Sequence, residues 1–591
     1  MKRKLILILC LALVTLMANA AKANSTPVVV AQPDGTKLTI VLHGDEHFSW
    51  VTTLNGTLLT RSAKGYYVAK VNEVGELEPS NILAHENNLQ TTAERQLIKM
   101  QNRQLFFKSA NKKLTAARRK VNGIGSMTPK YFPHEGSPKV LTILVEFSDT
   151  TFTLPNPKKS FNQYLNAEGQ MEDFGGHEKL NYGSVRKYFT DMSGGKFTPQ
   201  FDVLGPVKLK KPQTYYGKDG SIRKDVLIDD LIREACTAVA DSVNFADYDS
   251  DKDGVADLVY VIYAGYSQAC GGNVDTDIWP KSSWLGSEFK IDNVTIKRYG
   301  VSNELNYTRN AKTARGQHIV AINGIGLFCH EFSHTMGLPD FYPINETARV
   351  DNQAMEFWDL MDGGEYTKGG YVPTPYTPWE REVMGWTKVE TLGETPKKVE
   401  MQHDMAYKIT SEHPDEYLIV HNIQDKDWYT GVYKKIGHGL LVYRIDYELP
   451  YVNMGDRVND VVGKPGMTIV PADGLLVSSY NPAYRGKPYL AHHAGDPFPG
   501  TSNVDSLISV QLNHSTLNKP LYNIKEDIDA KVVSFDYLKK MTPNAISSTA
   551  ITNQTAEEAN KIYTLNGVFV GTDINKLSHG VYIQNKKKII K

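Results

Sequence analysis

Cys329-His330-Glu331-Phe332-Ser333-His334-Thr335-Met336-Gly337-Leu338-Pro339-Asp340 decides how the rest of this chain is read. It carries H-E-x-x-H followed by G-x-x-D. Two histidines four residues apart on a helix project from one face, a turn apart, so both imidazoles can reach one metal ion. Zinc accepts imidazole nitrogen and carboxylate oxygen, and a catalytic zinc keeps one position open for water. Glu331, next to the first histidine, is placed to take a proton from that water. Gly337 supplies a sharp helix exit, because glycine tolerates positive φ. The chain can then double back and offer Asp340 as third ligand. The apolar run Ala321 to Cys329 predicts that the helix is buried, and buried histidines with a buried glutamate need partners.

Working outward, Phe357-Trp358-Asp359-Leu360-Met361-Asp362-Gly363-Gly364 follows about twenty residues later. A methionine in a tight turn beneath the metal is the second mark of the metzincin class. Asp340 then stands where a third histidine is usual. Glu346 and Glu356 are the candidates in a thermolysin-like arrangement, with a third ligand from a later helix, but the Gly337 break argues against them. Tyr366 and Tyr376 lie downstream as candidate oxyanion donors, neither at the familiar spacing. Taken with Trp379 and Gly385-Trp386, these motifs resemble the immune-inhibitor-A-like bacterial metallopeptidases over roughly residues 138–510. The resemblance implies a secreted zinc endopeptidase, with aspartate as third zinc ligand and a calcium site near the catalytic domain.

Lys139 to Phe147 and Leu258 to Ala264 are continuous apolar runs and read as central strands. Helices are expected at 183–193 and 224–241. The predicted class is α+β: a zincin/metzincin-like catalytic domain over 134–392, with a twisted mixed sheet and an active-site helix. Immediately before the second strand, Asp249, Asp251, Asp253, Gly254, Val255 and Asp257 follow the D-x-D-x-D-G-x-x-D spacing of a calcium loop. The aspartates alternate inward, Gly254 permits the turn and Val255 offers a carbonyl. Aspartates so close together repel one another unless a cation lies among them.

The flanks read as export and processing segments. Met1-Lys2-Arg3-Lys4, an apolar stretch from Leu5 to Met17 and Ala18-Asn19-Ala20 form a secretory signal peptide over 1–20, with Ala21-Lys22-Ala23 as an alternative cleavage site. Residues 24–125 read as a propeptide: short strands at 37–43, 50–54 and 66–71, then a helical stretch over 86–121 ending in Arg118-Arg119-Lys120, a target for trypsin-like processing. Gly44-Asp45 is either a turn or a carboxylate latch for the open metal position. Residues 395–540 predict a β-rich accessory domain whose His492-His493 pair belongs to a surface loop. An Ala/Ser/Thr/Asn-rich linker at 544–556 leads into a C-terminal domain (545–591), which resembles the sorting domains of type IX secretion. Beyond the leader, Cys236, Cys270 and Cys329 allow at most one disulfide and leave at least one free thiol.

Lys+Arg and Asp+Glu are equal at 66 each, so nothing in the charge favours nucleic acid as a partner. Protein or peptide substrates, a monomer, no transmembrane segment in the mature chain, export to the outside or the cell surface, and possible use of secretion machinery at the C-terminus are expected. Zn2+ and Ca2+ are the expected metals, with Glu331 as general base. The alternative is a secreted adhesion protein whose metal is structural. Such a site would close its fourth position with protein and needs no base.

Overall fold

The computed structural model describes residues 21–45, 48–62, 65–110, 131–169, 171, 180–220, 224–271, 276–306, 320–343, 345, 348, 353–432, 436–447, 458–478, 491–541, 560–565, 567–584 and 587–591. The expected leader, Arg118-Arg119-Lys120, Glu346 and the 544–556 linker lie outside the described residues. The chain divides after Lys539 into two compact units.

The first unit is organised by a mixed sheet. Strands β1 (Lys139–Glu146), β2 (Gln200–Lys208), β3 (Val255–Ala256), β4 (Val259–Tyr266), β5 (Lys281–Ile291) and β6 (Val294–Leu305) build it. β1 lies parallel between β2 and β4, β4 continues parallel to β6, and β5 closes the edge antiparallel to β6. The continuous apolar runs now have their explanation. Val140 and Leu144 of β1 enter the core on one face, while Leu141, Ile143 and Val145 enter a second core on the other. A strand covered on both faces has no reason to alternate with polar residues.

Helices cover both faces. Helix α1 (Pro157–Asn166) and α2 (Val185–Met192) share the first core, and α3 (Ile228–Val239) covers the second. Helix α4 (Ile325–Thr335) carries the H-E-x-x-H segment and is buried along its whole length. Its hydroxyl side chains are satisfied within the helix: Ser333 Oγ donates to Cys329 O (2.6 Å) and Thr335 Oγ1 to Phe332 O (2.6 Å). Helix α5 (Pro378–Val383) follows the Gly-Gly turn and starts with a Thr377/Glu380 capping box.

The expected β-rich segment after residue 395 is present. One sheet has the order 390–391, 406–410, 416–423, 439–446, 467–469, and a second has the order 397–401, 532–537, 521–527. Along Glu416–Ile423, Leu418 and Val420 enter the core between these sheets, whereas Tyr417 and Ile419 enter the core of α4. The two parts of the unit thus share packed surface. His493 corrects the surface-loop expectation. It is buried, with Nδ1 3.0 Å from the Asp496 carboxylate, which also accepts Trp358 Nε1 at 3.1 Å. A charged partner is what makes burial of that imidazole tolerable.

Residues 28–31, 37–44, 49–53, 58–62 and 65–68 form an antiparallel meander in chain order. The helical stretch expected from residue 86 begins later, at Thr92, where Thr91 and Glu94 form a capping box; it breaks at Gln101 and Asn102 and resumes over 103–110. The second unit contains a four-stranded antiparallel sheet with order 569–571, 562–564, 581–584, 587–590. Cys236, Cys270 and Cys329 are all buried and free, so the described cysteines form no disulfide.

Gly326 sets how closely α4 approaches the loop after the Gly-Gly turn. A Cβ there would lie 2.0 Å from Glu365 O. Gly326→Ala should therefore destabilise the protein by about 1–3 kcal/mol through overpacking, read as a lowered Tm. An unchanged Tm would show that this approach is not constrained.

Candidate metal centre and its cleft

Helix α4 stops where the sequence provides the means. Gly337, at φ +103°, donates its N–H to His334 O (3.0 Å), and Leu338 N–H reaches Ser333 O (3.3 Å). The chain turns back at once, and Phe341 N–H is received by Met361 O at 2.9 Å. This joins the segment carrying Asp340 to the turn carrying Met361. That turn is held by its own aspartates: Asp359 accepts Met361 N–H (2.6 Å), and Asp362 accepts Glu356 N–H (2.7 Å).

These two segments orient the histidines. His330 Nδ1 faces Leu360 O at 2.9 Å, and His334 Nδ1 faces Leu338 O at 2.7 Å. A carbonyl oxygen only accepts, so the proton of each ring sits on Nδ1 and each Nε2 presents a lone pair. The two Nε2 atoms stand 3.1 Å apart, with Asp340 Oδ1 at 3.3 Å from the first and 3.2 Å from the second. Three buried acceptors converge with no proton among them. That arrangement is repulsive unless a cation occupies the focus, and two imidazoles with one carboxylate are a zinc donor set. Burial lowers the His330 pKa and so favours the neutral form that a ligand needs. His330, His334 and Asp340 are thus the residues that would hold the metal.

Glu331 lies beside this focus. Its carbonyl accepts Ser282 Oγ of β5 (2.5 Å), which ties the edge strand to α4. Its Oε1 accepts the backbone N–H of Ala21 at 2.6 Å. The segment Ala21-Lys22-Ala23 is buried in the cleft. Trp279 Nε1 donates to Ala21 O (2.9 Å), Tyr366 OH donates to Lys22 O (2.5 Å), and Asn24 N–H reaches Ala269 O (3.2 Å). The backbone of this segment is bonded from the cleft wall as a bound peptide would be.

The other sequence candidates divide. Glu356 does not join the histidines; its carboxylate lies 3.5 Å from Lys22 Nζ. Tyr376 is removed from the cleft by a short hydrogen bond with Ser333 in the core. Asp45 closes a local turn by accepting Phe48 N–H at 3.0 Å, while the segment beside Glu331 is Ala21–Ala23. Asp249, Asp251 and Asp253 do converge, with candidate ligand oxygens within 4.8 Å of one another. Asp249 also accepts the N–H groups of Asp253 and Gly254, and Asp257 accepts Ser250 N–H at 3.0 Å, while Val255 starts β3.

Sequence reasoning missed Lys22, Trp279 and Glu365. Glu365 is fully buried, with neither carboxylate oxygen hydrogen-bonded among the described residues. Burial, then the nearby Glu331 and Asp340, push its pKa well above the usual carboxylate range. A charged residue inside an otherwise glycine-rich turn was the available signal.

Residues 130–390 match the sequence profile of the family described as immune inhibitor A peptidase M6, catalytic domain. The chain is 25% identical over 280 residues to the pre-pro-metalloprotease PrtV of Vibrio cholerae serotype O1, covering 42% of this chain and 29% of PrtV. It is 24% identical over 436 residues to immune inhibitor A of Bacillus thuringiensis subsp. alesti, covering 68% of this chain and 52% of the relative. The chain therefore spans about half, or less, of the length of these relatives. No helix among the described residues is long and apolar enough to cross a membrane.

His334→Ala and Asp340→Ala should each lower zinc bound per chain, because each removes one of three protein ligands, whereas Glu331→Gln should retain it. Metal analysis of the three purified variants checks this. Full zinc in Asp340→Ala would remove Asp340 from the ligand set.

Proposed function

We propose that this chain is the precursor of a secreted zinc endopeptidase. The observation that carries the reading is the convergence of His330, His334 and Asp340 beside a glutamate that is not part of that set. Among the described residues no fourth protein ligand completes the group, which favours a catalytic over a structural metal and argues against the adhesion alternative. The match of residues 130–390 supports the same reading.

When bound, zinc supplies Lewis acidity toward a water and the scissile carbonyl. The chain's own residues do the rest. Glu331 takes the water proton and passes it to the departing amine. Trp279 Nε1 and Tyr366 OH, now bonded to the carbonyls of Ala21 and Lys22, hold a substrate backbone in line. Burial keeps the Tyr366 hydroxyl protonated and therefore a donor. The Met361 turn supports His330 through Leu360 O, which favours the metzincin reading. Residues 1–20 serve as leader and the C-terminal module as a sorting element in this reading. Cleavage of the leader after Ala20 would leave the α-amine of Ala21 against Glu331, so the prosegment blocks the cleft from its own beginning.

The processed enzyme should hydrolyse casein, and Glu331→Gln should lower kcat/KM by at least about a hundredfold while folding normally. The intact chain from Ala21 onward should be latent until its prosegment is cut away. Undiminished activity of Glu331→Gln would sink the peptidase reading; full activity of the uncut chain would reject only the block.

The aspartate loop is proposed as a calcium site that clamps the start of β3 onto β6. Calcium at a hundred times its Kd should stabilise the folded protein by about 2.7 kcal/mol, read as a rise in Tm. Asp251→Ala with Asp253→Ala should abolish that rise. A parent Tm indifferent to calcium and to chelator would dismiss the site.

A further inference from the structure

The prosegment does more than cover the cleft: it places a lysine in a pocket of carboxylates. Lys22 Nζ lies 3.0 Å from Asp362 Oδ1 and 3.5 Å from Glu356 Oε2. Side-chain exposure is 3% for Lys22, 3% for Glu356 and 1% for Asp362, so the ammonium is enclosed by the cleft. Its charge lies 5.8 Å from the centre of the Tyr342 ring, and Glu365, buried and without a hydrogen bond to its carboxylate among the described residues, is near enough to feel the Lys22 charge. Asp362 and Glu356 come from the turn that supports His330, so the pocket belongs to the enzyme and remains when the prosegment leaves.

Removing one partner of a buried ion pair leaves an uncompensated charge, which is costly. Emptied of Lys22, the pocket holds carboxylates in a poorly solvated recess. A neutral side chain entering it would desolvate them without return, whereas an ammonium or guanidinium would restore the pair. The backbone register says where that cation belongs on a substrate. Ala21 N–H stands at Glu331, the group that hands a proton to the departing amine. Ala21 therefore occupies the place of the first residue after the scissile bond, and Lys22 the second.

We infer that Asp362 and Glu356 make this a protease that selects a lysine or arginine as the second residue on the carboxyl-terminal side of the cut, with Lys22 of the prosegment occupying that subsite in the precursor. The inference rests on the endopeptidase reading.

The test uses zinc-loaded enzyme processed from the full chain and a peptide library with every residue varied on both sides of the cut. Lysine and arginine should be enriched at least about tenfold over methionine at the second position after the cut. Cleavage with no basic preference there, or with the preference at another position, overturns the pocket while leaving the peptidase intact. Failure to cleave any peptide overturns the endopeptidase reading and the inference with it. Because Asp362 also accepts Met355 and Glu356 backbone N–H groups, Asp362→Asn could misfold. Direct binding therefore serves as a second measurement. In calorimetry the peptide Ala-Lys-Ala-Asn-Ser-Thr should bind the unsubstituted enzyme at least about tenfold more tightly than Ala-norleucine-Ala-Asn-Ser-Thr, and equal affinities overturn the inference. In Glu356→Gln the ratio of kcat/KM for lysine over norleucine substrates should fall; an unchanged ratio removes Glu356 from the pocket.

Discussion

Two hydrogen bonds from imidazole to backbone, His330 Nδ1 to Leu360 O and His334 Nδ1 to Leu338 O, are the constraint on which the rest depends. They decide which nitrogen of each ring keeps its proton, and therefore that both lone pairs point to one place. Both carbonyls belong to chain that has left the helix. Leu338 is delivered by the turn at Gly337, and Leu360 by the turn that Asp359 and Asp362 hold in shape. A change in either turn would rotate a ring without touching a ligand, which is why partners outside the ligand set are as consequential as the ligands.

The cost of this arrangement is a concentration of buried acid. Glu331, Asp340, Asp359, Asp362, Glu365 and Glu380 are all buried. Burial drives the Asp359 and Glu365 carboxyls toward their protonated form, while Asp359 and Glu380 are also occupied by N–H donors of their own turns. Among the described residues, Lys22 is the cation seated against Asp362 and Glu356, and it arrives on a segment far away in sequence. The N-terminal meander reinforces that placement by packing Ala23, Val30 and Leu38 in one cluster with Ala269 and Trp279. Charge and apolar burial thus anchor the same segment at its two ends.

Much of this was legible in the sequence, and the boundary of legibility has a physical reason. His330, His334 and Asp340 are joined by a helical turn and a glycine turn, both short-range geometry, and they converge as their spacing requires. The strands at 139–147 and 258–264 announced themselves because burial on both faces leaves a continuous apolar run. Lys22, Trp279 and Tyr366 were not legible as a group. They meet across 258 and 344 residues of chain, and no local pattern encodes such a meeting. His493 failed for another reason: it looked like loop polarity, and only tertiary structure supplies the Phe357 and Trp358 rings that pack against it. The helix expected from residue 86 was displaced by its own capping box at Thr91.

The three buried thiols carry a consequence for where such a chain can be made. Cys236, Cys270 and Cys329 lie apart from water, and burial pushes the first two up to about 12 and holds the third well above the ordinary thiol range. A thiol so far from ionising is a poor nucleophile and a poor target for oxidants. The described residues are held by packing, hydrogen bonds and ion pairs, with no disulfide between distant segments. A change in the redox poise of the surroundings therefore finds, among the described residues, no disulfide to reduce and no exposed thiol to oxidise.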